Sequence, residues 1–295
     1  MMQLAAITDE ISQDFEHALD VLLEYGATGA ELRALWDTNI ADLSEEQVAR
    51  AKAALRARNL RVVGLATPFY KCDLFEDTPE GTEETHRMHL AKPRDLSQQM
   101  DLLGRCIELA HTFDTPLLRV FTFWRKEALT PEIEDRIVDA FDEPLRLAER
   151  EGVTLILENE HACFIGTGAE AARIAGKLNS PHLKLCWDPG NAFAAGEVPY
   201  PDGYEAVKPW IAHIHIKDGR IVNTPEHGPQ VQWCVVGEGE IDYAGQFAAL
   251  KHDGYTGYIS LETHYVPLHG SGPGGKGTPE EGSRPSLAAL RQFIA

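Results

Sequence analysis

This chain of 295 residues is short of several things, and each shortage removes a class of protein. No apolar stretch approaches the roughly 20 residues of a membrane span, so no membrane partner is expected. The start, MMQLAAITDE, has neither the basic segment nor the apolar run of a secretory signal. Cysteine is scarce and odd in number: Cys72, Cys106, Cys163, Cys186 and Cys234, with no CxxC pair. Reduced thiols and a cytoplasmic location are therefore expected. Positive charge is also scarce, with 27 Lys and Arg against 46 Asp and Glu and a formal charge of −19. Nucleic-acid binding rests on Lys and Arg, so such a chain is poorly suited to it. A solubilising acidic surface is the plain reading, which still leaves room for a small basic pocket. Low-complexity linkers and internal repeats are missing too, and the 43% hydrophobic content is that of a globular protein with a large core.

What is present is a rhythm. Apolar runs of strand length alternate with amphipathic stretches of helix length. MQLAAI leads to DFEHALDVLLEYG, where Phe15, Leu19, Leu22 and Leu23 keep helical spacing. GAELR leads to SEEQVARAKAALRARN, with Ser44 and Gln47 forming a capping box. LRVVGLA, PLLRVFTF, VTLILEN, LKLCWD, IAHIHIKD and YISLETH follow, each ahead of a helical stretch; Pro144 is expected to kink one of these, and the one near Tyr204–Lys208 is short. Eight such units predict an α/β fold, a single (β/α)8 barrel spanning residues 1–295. The strands read as continuously apolar, as parallel strands covered on both faces do. A doubly wound sheet is the alternative, but the AAITDEIS stretch after the first strand lacks its glycine-rich phosphate loop. Two long connections, at about residues 71–95 and 266–282, read as lids or plain mobile links on the catalytic face.

The later strands end in polar residues: Glu158 (LILEN), Asp188 (LCWD), His215 (AHIHIKD) and Glu262 (ISLETH). In a barrel these ends meet on the rim where barrel enzymes carry their chemistry. One carboxylate at one strand end is more often a helix cap or a surface group than a ligand. Four consecutive ends with ligand-type side chains point to a divalent metal, Mn²⁺, Mg²⁺, Co²⁺ or Zn²⁺, bound through oxygen and nitrogen. Three carboxylates crowded without a cation would raise one another's pKa. His213 and His215 share a face of their strand; His215 lies nearer the rim and is the candidate ligand, whereas His213 reads as deeper.

The motifs LENE, WDPGNAFAAGE, HIHIKD and ISLETHY resemble the xylose-isomerase-like barrel superfamily, the sugar phosphate isomerases and epimerases. The resemblance covers most of the chain and is best from Val153 to Tyr265. It implies one divalent metal, Mn²⁺ foremost, held by Glu158, Asp188, His215 and Glu262. It also implies that Glu158 and Glu262 act as acid and base in removing a proton beside a carbonyl, through a metal-stabilised enediolate. Which glutamate does which step stays open, as does a homodimeric or homotetrameric assembly. A small sugar or sugar derivative is the implied partner.

The sequence departs from free-ketose epimerases at Phe164, where they carry a second Glu, and at Asn191, where they carry a His. Arg220 sits one residue from the place of their substrate-binding Arg. Asn191, Lys217, Arg220, Glu31, Arg33 and Trp36 are candidate substrate contacts, with Glu31 and Arg33 equally readable as a salt-bridged pair on the rim. A lyase acting on a keto-inositol or 3-keto sugar is the alternative, and a non-catalytic sugar-binding subunit a further one. The related apurinic endonucleases bind three zinc ions through histidines that LATPFY and VFTFW lack.

Overall fold

The computed structural model describes residues 1–75, 90–225, 228–268 and 276–295. The middle of each long connection expected from the sequence, at 76–89 and 269–275, lies outside the described residues. Eight strands form the barrel: β1 (Gln3–Ala6), β2 (Gly29–Leu32), β3 (Arg61–Phe69), β4 (Leu117–Val120), β5 (Thr154–Glu158), β6 (Leu183–Trp187), β7 (Ile211–Ile216) and β8 (Tyr258–Leu261). From β2 to β8 each strand pairs in parallel with the next, and β8 pairs back onto β1. A parallel bridge between Ile7 and Glu31 joins β1 to β2, so the sheet is a nearly closed (β/α)8 barrel, as the alternation predicts.

The outer ring comprises α1 (Phe15–Glu24), α2 (Glu45–Ala57), α3 (Gln99–Phe113), α4 (Pro131–Ala140), α5 (Asp142–Glu151), α6 (Gly168–Leu178), α7 (Pro189–Ala194), α8 (Tyr204–Val207), α9 (Tyr243–His252) and α10 (Pro279–Ile294). Their starts follow local chemistry. Ser44 and Gln47 form the reciprocal cap of α2, and Thr167 with Glu170 does the same for α6. The stretch expected to be one helix kinked at Pro144 is instead two, divided at Phe141. Proline at 144 has no N–H for the Ala140 carbonyl four residues back, and its ring would crowd that carbonyl, so the helix restarts. Among the described residues, no helix is long and apolar enough to cross a membrane.

Two antiparallel hairpins stand outside the barrel, and neither is apparent in the βα rhythm. One joins Ala34–Leu35 to Thr38–Asn39 just after β2; the other joins Asp218–Thr224 to Gly228–Cys234 just after β7. Between the barrel and its helices the core is apolar, with Phe15, Leu65, Phe141, Trp187 and Leu290 fully enclosed. The end of the barrel where the strands finish is different, because Arg119, Lys71 and Lys217 are among the largest side chains buried there. Long cations are almost never enclosed unless paired, so their partners define the site.

At Gly29 the β2–β3 contact leaves no room for a side chain: a Cβ would lie 2.2 Å from Val63 Cγ1 and 2.7 Å from Tyr258 Cε1. Gly29→Ala is expected to lower stability by about 1–3 kcal/mol in urea or thermal unfolding, the usual cost of overpacking. All five cysteines are free and buried, and burial pushes the Cys106 and Cys186 thiols up to about 12. Thiol titration of the native protein at pH 8 is expected to find no rapidly reacting cysteine, and the denatured chain to show five.

Candidate metal centre

Parallel register carries the four polar strand ends to one place. Glu158 closes β5, Asp188 follows β6, His215 is the penultimate residue of β7, and Glu262 follows β8. One donor atom from each of these four lies within 4.8 Å of the others, and all four residues are buried. His215 Nδ1 is 3.0 Å from Glu158 Oε1 and 3.6 Å from Glu262 Oε2.

Neighbouring residues hold these ends in place. The Asn159 amide accepts from Asp188 N at 2.9 Å and donates to Asp188 O at 2.8 Å, tying the end of β5 to the end of β6. Asp188 Oδ1 accepts the Asn191 N–H at 2.9 Å and so caps α7. Proline at 189 fits the first helical position, where an N–H is not needed. Gly190 is required by close approach: a Cβ there would lie 2.4 Å from Lys217 Cγ. Asn191 turns its Nδ2 towards Asp188 Oδ2 at 3.2 Å and Glu158 Oε1 at 3.4 Å, and its Oδ1 towards His161 Nδ1 at 3.0 Å.

Buried cations meet the crowded carboxylates. Lys217 Nζ is 2.7 Å from Asp188 Oδ2 and 3.0 Å from Glu262 Oε2. Arg119 Nη1 is 3.2 Å from Glu158 Oε2 and 3.5 Å from Glu262 Oε1. Arg33 donates to Glu262 at 2.9 Å, to Glu10 at 2.6 Å and to Asp9 at 2.9 Å. Burial alone would raise the Glu262 carboxyl, but Lys217 and His264 hold it well below the usual range. For Asp188 burial wins: it pushes the carboxyl up to about 6, with Lys217 opposing and Glu158 and Glu262 adding to the push.

The residues fit a divalent cation. Three carboxylates and one imidazole suit a hard or borderline ion such as Mn²⁺, Mg²⁺, Co²⁺ or Zn²⁺. Glu158 Oε2, moreover, is enclosed and accepts no hydrogen bond. The Arg119 guanidinium, 3.2 Å away, already stands beside that oxygen, so it is the donor chemistry of the set that carries the fit.

The other sequence-derived candidates divide. Asn191 and Lys217 adjoin the four-residue cluster, and Arg33 reaches it through Glu262. Glu31 and Arg33 do not form the rim pair that the sequence allowed. Arg33 is taken by Asp9, Glu10 and Glu262, while Glu31 is fully enclosed against His213 and His215. The structure does not bring Trp36 or Arg220 to the cluster. Trp36 lies in the turn of the first hairpin, its Nε1 donating to Glu16 at 3.0 Å and its ring lying under the Arg50 guanidinium. Arg220 is exposed on the second hairpin, beside the Cys234 thiol. His213 is the deeper histidine, bonded to Glu31 and Ser260.

A family model described as xylose isomerase-like TIM barrel matches residues 19–293. The chain belongs to that family. Curated relatives include an inosose dehydratase of Bacillus cereus, 23% identical over 265 residues, which is 86% of this chain and 83% of that protein. An L-ribulose-5-phosphate 3-epimerase of Salmonella paratyphi C is 26% identical over 174 residues, 56% of each chain. Among solved structures, the probable 3-DHS dehydratase AsbF of Bacillus anthracis superposes with a TM-score of 0.70 at 17% identity, covering 98% of both chains. The 3-keto-D-glucoside 4-epimerase YcjR of E. coli superposes with a TM-score of 0.68 at 17% identity, covering 99% of this chain and 100% of that one. At such identities the superpositions speak for the fold.

Several site residues escaped the sequence reading: Arg119, Lys71, Glu160, His161, Glu10 and His264. Arg119 carried a readable signal, because an arginine between Leu118 and Val120 in a buried strand requires a partner. Lys71 and Glu160 lie in loops after different strands, and their 2.9 Å ion pair is a product of the fold. Lys217→Met would leave Asp188 and Glu262 without their ammonium. Metal-free protein is expected to lose about 3–5 kcal/mol in urea unfolding with chelator, the cost of breaking a buried pair. Mn²⁺ is expected to restore part of this loss by binding the folded state.

Proposed function

We propose that the protein is a divalent-metal-dependent isomerase or epimerase of a small sugar or sugar derivative, working by proton transfer beside a carbonyl, with Mn²⁺ as the best-matched ion. The observation that carries this reading is the convergence of Glu158, Asp188, His215 and Glu262 at the barrel rim. These four residues would hold the metal, which when bound supplies Lewis-acid polarisation of the substrate carbonyl.

The chain's own groups do the proton work. One of Glu158 and Glu262 takes the proton from the carbon next to the carbonyl, and the C–H electron pair moves into the carbonyl. The other returns a proton to the opposite face for epimerisation, or to the neighbouring carbon for isomerisation. Arg119 contacts both glutamates, and Lys217 contacts Glu262, so charge passing between the two carboxyls stays next to a fixed cation. Asn191 offers an amide at the same rim in a place where an imidazole would be a titrating group.

A second reading, elimination of water from a keto-inositol or 3-keto sugar, is favoured by His161. This imidazole has a side chain 41% exposed and stands 3.0 Å from Asn191. Burial would lower its pKa, but Glu160 holds it above the usual value. The reaction begins with the same proton abstraction. The C–O bond to the β-hydroxyl then breaks, and His161 supplies the proton with which that group leaves as water. The inosose dehydratase relatives support the same option.

An NMR time course in D₂O with Mn²⁺ and a panel of ketoses, inososes and 3-keto sugars separates the two. A new diastereomer or isomer with solvent deuterium at the exchanged carbon supports the first reading. Loss of water, slowed by His161→Gln, supports the second. Glu158→Gln and Glu262→Gln are each expected to reduce turnover at least about 10³-fold, and His215→Ala to lower metal content measured by elemental analysis. Full activity and metal content in His215→Ala would remove the site assignment.

A further inference from the structure

Glu31 was a candidate substrate contact in the sequence, yet no part of it reaches solvent. It lies on β2, with its carboxylate beside the imidazoles of β7. The two ring nitrogens of His215 face different partners. Nε2 is 3.0 Å from both Glu31 oxygens, and Nδ1 is 3.0 Å from Glu158 Oε1 on the side of the four-residue cluster. Glu31 also lies 2.9 Å from His213 Nε2, which has Ser260 Oγ at 3.0 Å as a further neighbour. The two imidazoles stand nearly perpendicular, at 88°. A fully enclosed carboxylate needs donors on its oxygens, and the two histidine Nε2 atoms are the donors beside it.

We infer that Glu31 is a positioning residue for the metal: it takes the Nε2–H of His215 and thereby leaves the Nδ1 lone pair facing the cation held with Glu158, Asp188 and Glu262. This rests on the metal reading above and adds the partner that sets the ligand's orientation. A neutral imidazole carries one N–H and both carboxylates can only accept, so with the Nδ1 lone pair given to the cation the single proton sits on Nε2, where Glu31 receives it. Such outer partners also raise the basicity of the ligand. His213 contributes a second donor to Glu31 and holds the carboxylate in place without touching the cluster. The consequence is specific for the carboxylate. In Glu31→Gln the amide has one accepting end and one donating end for two imidazole nitrogens that both donate. When its NH₂ end meets His215, the ring takes the opposite tautomer and places a proton on Nδ1, where the metal binds.

Mn²⁺ titration calorimetry on the full chain, comparing wild type, Glu31→Gln and Glu158→Gln, is the test. Glu31→Gln is expected to weaken binding about 10–100-fold. If Glu158→Gln loses affinity while Glu31→Gln binds like wild type, the inference about Glu31 fails and the site stands. If Glu158→Gln binds like wild type, the site reading itself fails. A second measurement needs no variant. Long-range ¹H–¹⁵N correlations of the histidine rings in Zn²⁺-loaded wild type are expected to show His215 with its proton on Nε2 and the metal on Nδ1. Metal on Nε2 would overturn the proposal.

Discussion

Three carboxylates pressed against one imidazole at the end of a barrel is the constraint to which the surrounding structure answers. Enclosed in low dielectric, Glu158, Asp188 and Glu262 repel one another and have lost most of their hydration. Lys217, Arg119 and Arg33 are therefore buried with them, although each would otherwise belong at the surface. Their cost of burial is offset only because each ammonium or guanidinium touches at least two carboxylates. The arrangement leaves Glu158 Oε2 without a hydrogen bond and Asp188 with a raised pKa, so the cluster could take up one more positive charge.

Rigidity around that cluster comes from the barrel and from a layer of amides and carboxylates just behind the donors. Parallel pairing fixes how far each strand end reaches. Asn159 locks β5 to β6, the Asp188 cap starts α7 at the rim, and Gly190 lets Lys217 pass close to that turn. Behind the imidazole, Glu31 joins β2 to β7 through His213 and His215. Each donor is thus held by a partner on another strand, which favours a fixed geometry over a sampled one.

Isomerisation, epimerisation and dehydration share a first step, the removal of a proton next to a carbonyl. In the function proposed above, the cluster would serve that step whichever product follows. What would distinguish the outcomes is the set of groups around the cluster, and beside it the chain carries the Asn191–His161 pair with Glu160 and Lys71 behind it. These residues come from the loops after β3, β5 and β6, the part of a barrel that varies while the scaffold is kept.

Much of this was legible in the sequence. Apolar runs alternating with helical periods determined the eight βα units, because parallel strands must be apolar on both faces and helices on one. Ser44 with Gln47 and Thr167 with Glu170 are caps set by contacts three residues apart. Glu158, Asp188, His215 and Glu262 could be read because each ends or closely precedes the end of an apolar run, a one-dimensional feature with a three-dimensional meaning. Tertiary structure alone decided the pairings. Glu31 lies within β2 and Arg33 just past its end, and the barrel gives them different partners, His213 with His215 and Asp9 with Glu10 and Glu262. Trp36 and Arg220 lie on hairpins outside the barrel, where Trp36 meets Glu16 and Arg50 and Arg220 is exposed beside Cys234. Arg119 reaches Glu158 only because β4 and β5 are neighbours in the barrel, and Lys71 reaches Glu160 only because the loops after β3 and β5 approach over that rim. The sequence determined by itself which residues end each strand, since that depends on local periodicity; which buried charge neutralises which depended on barrel closure, since that brings together residues far apart in the chain.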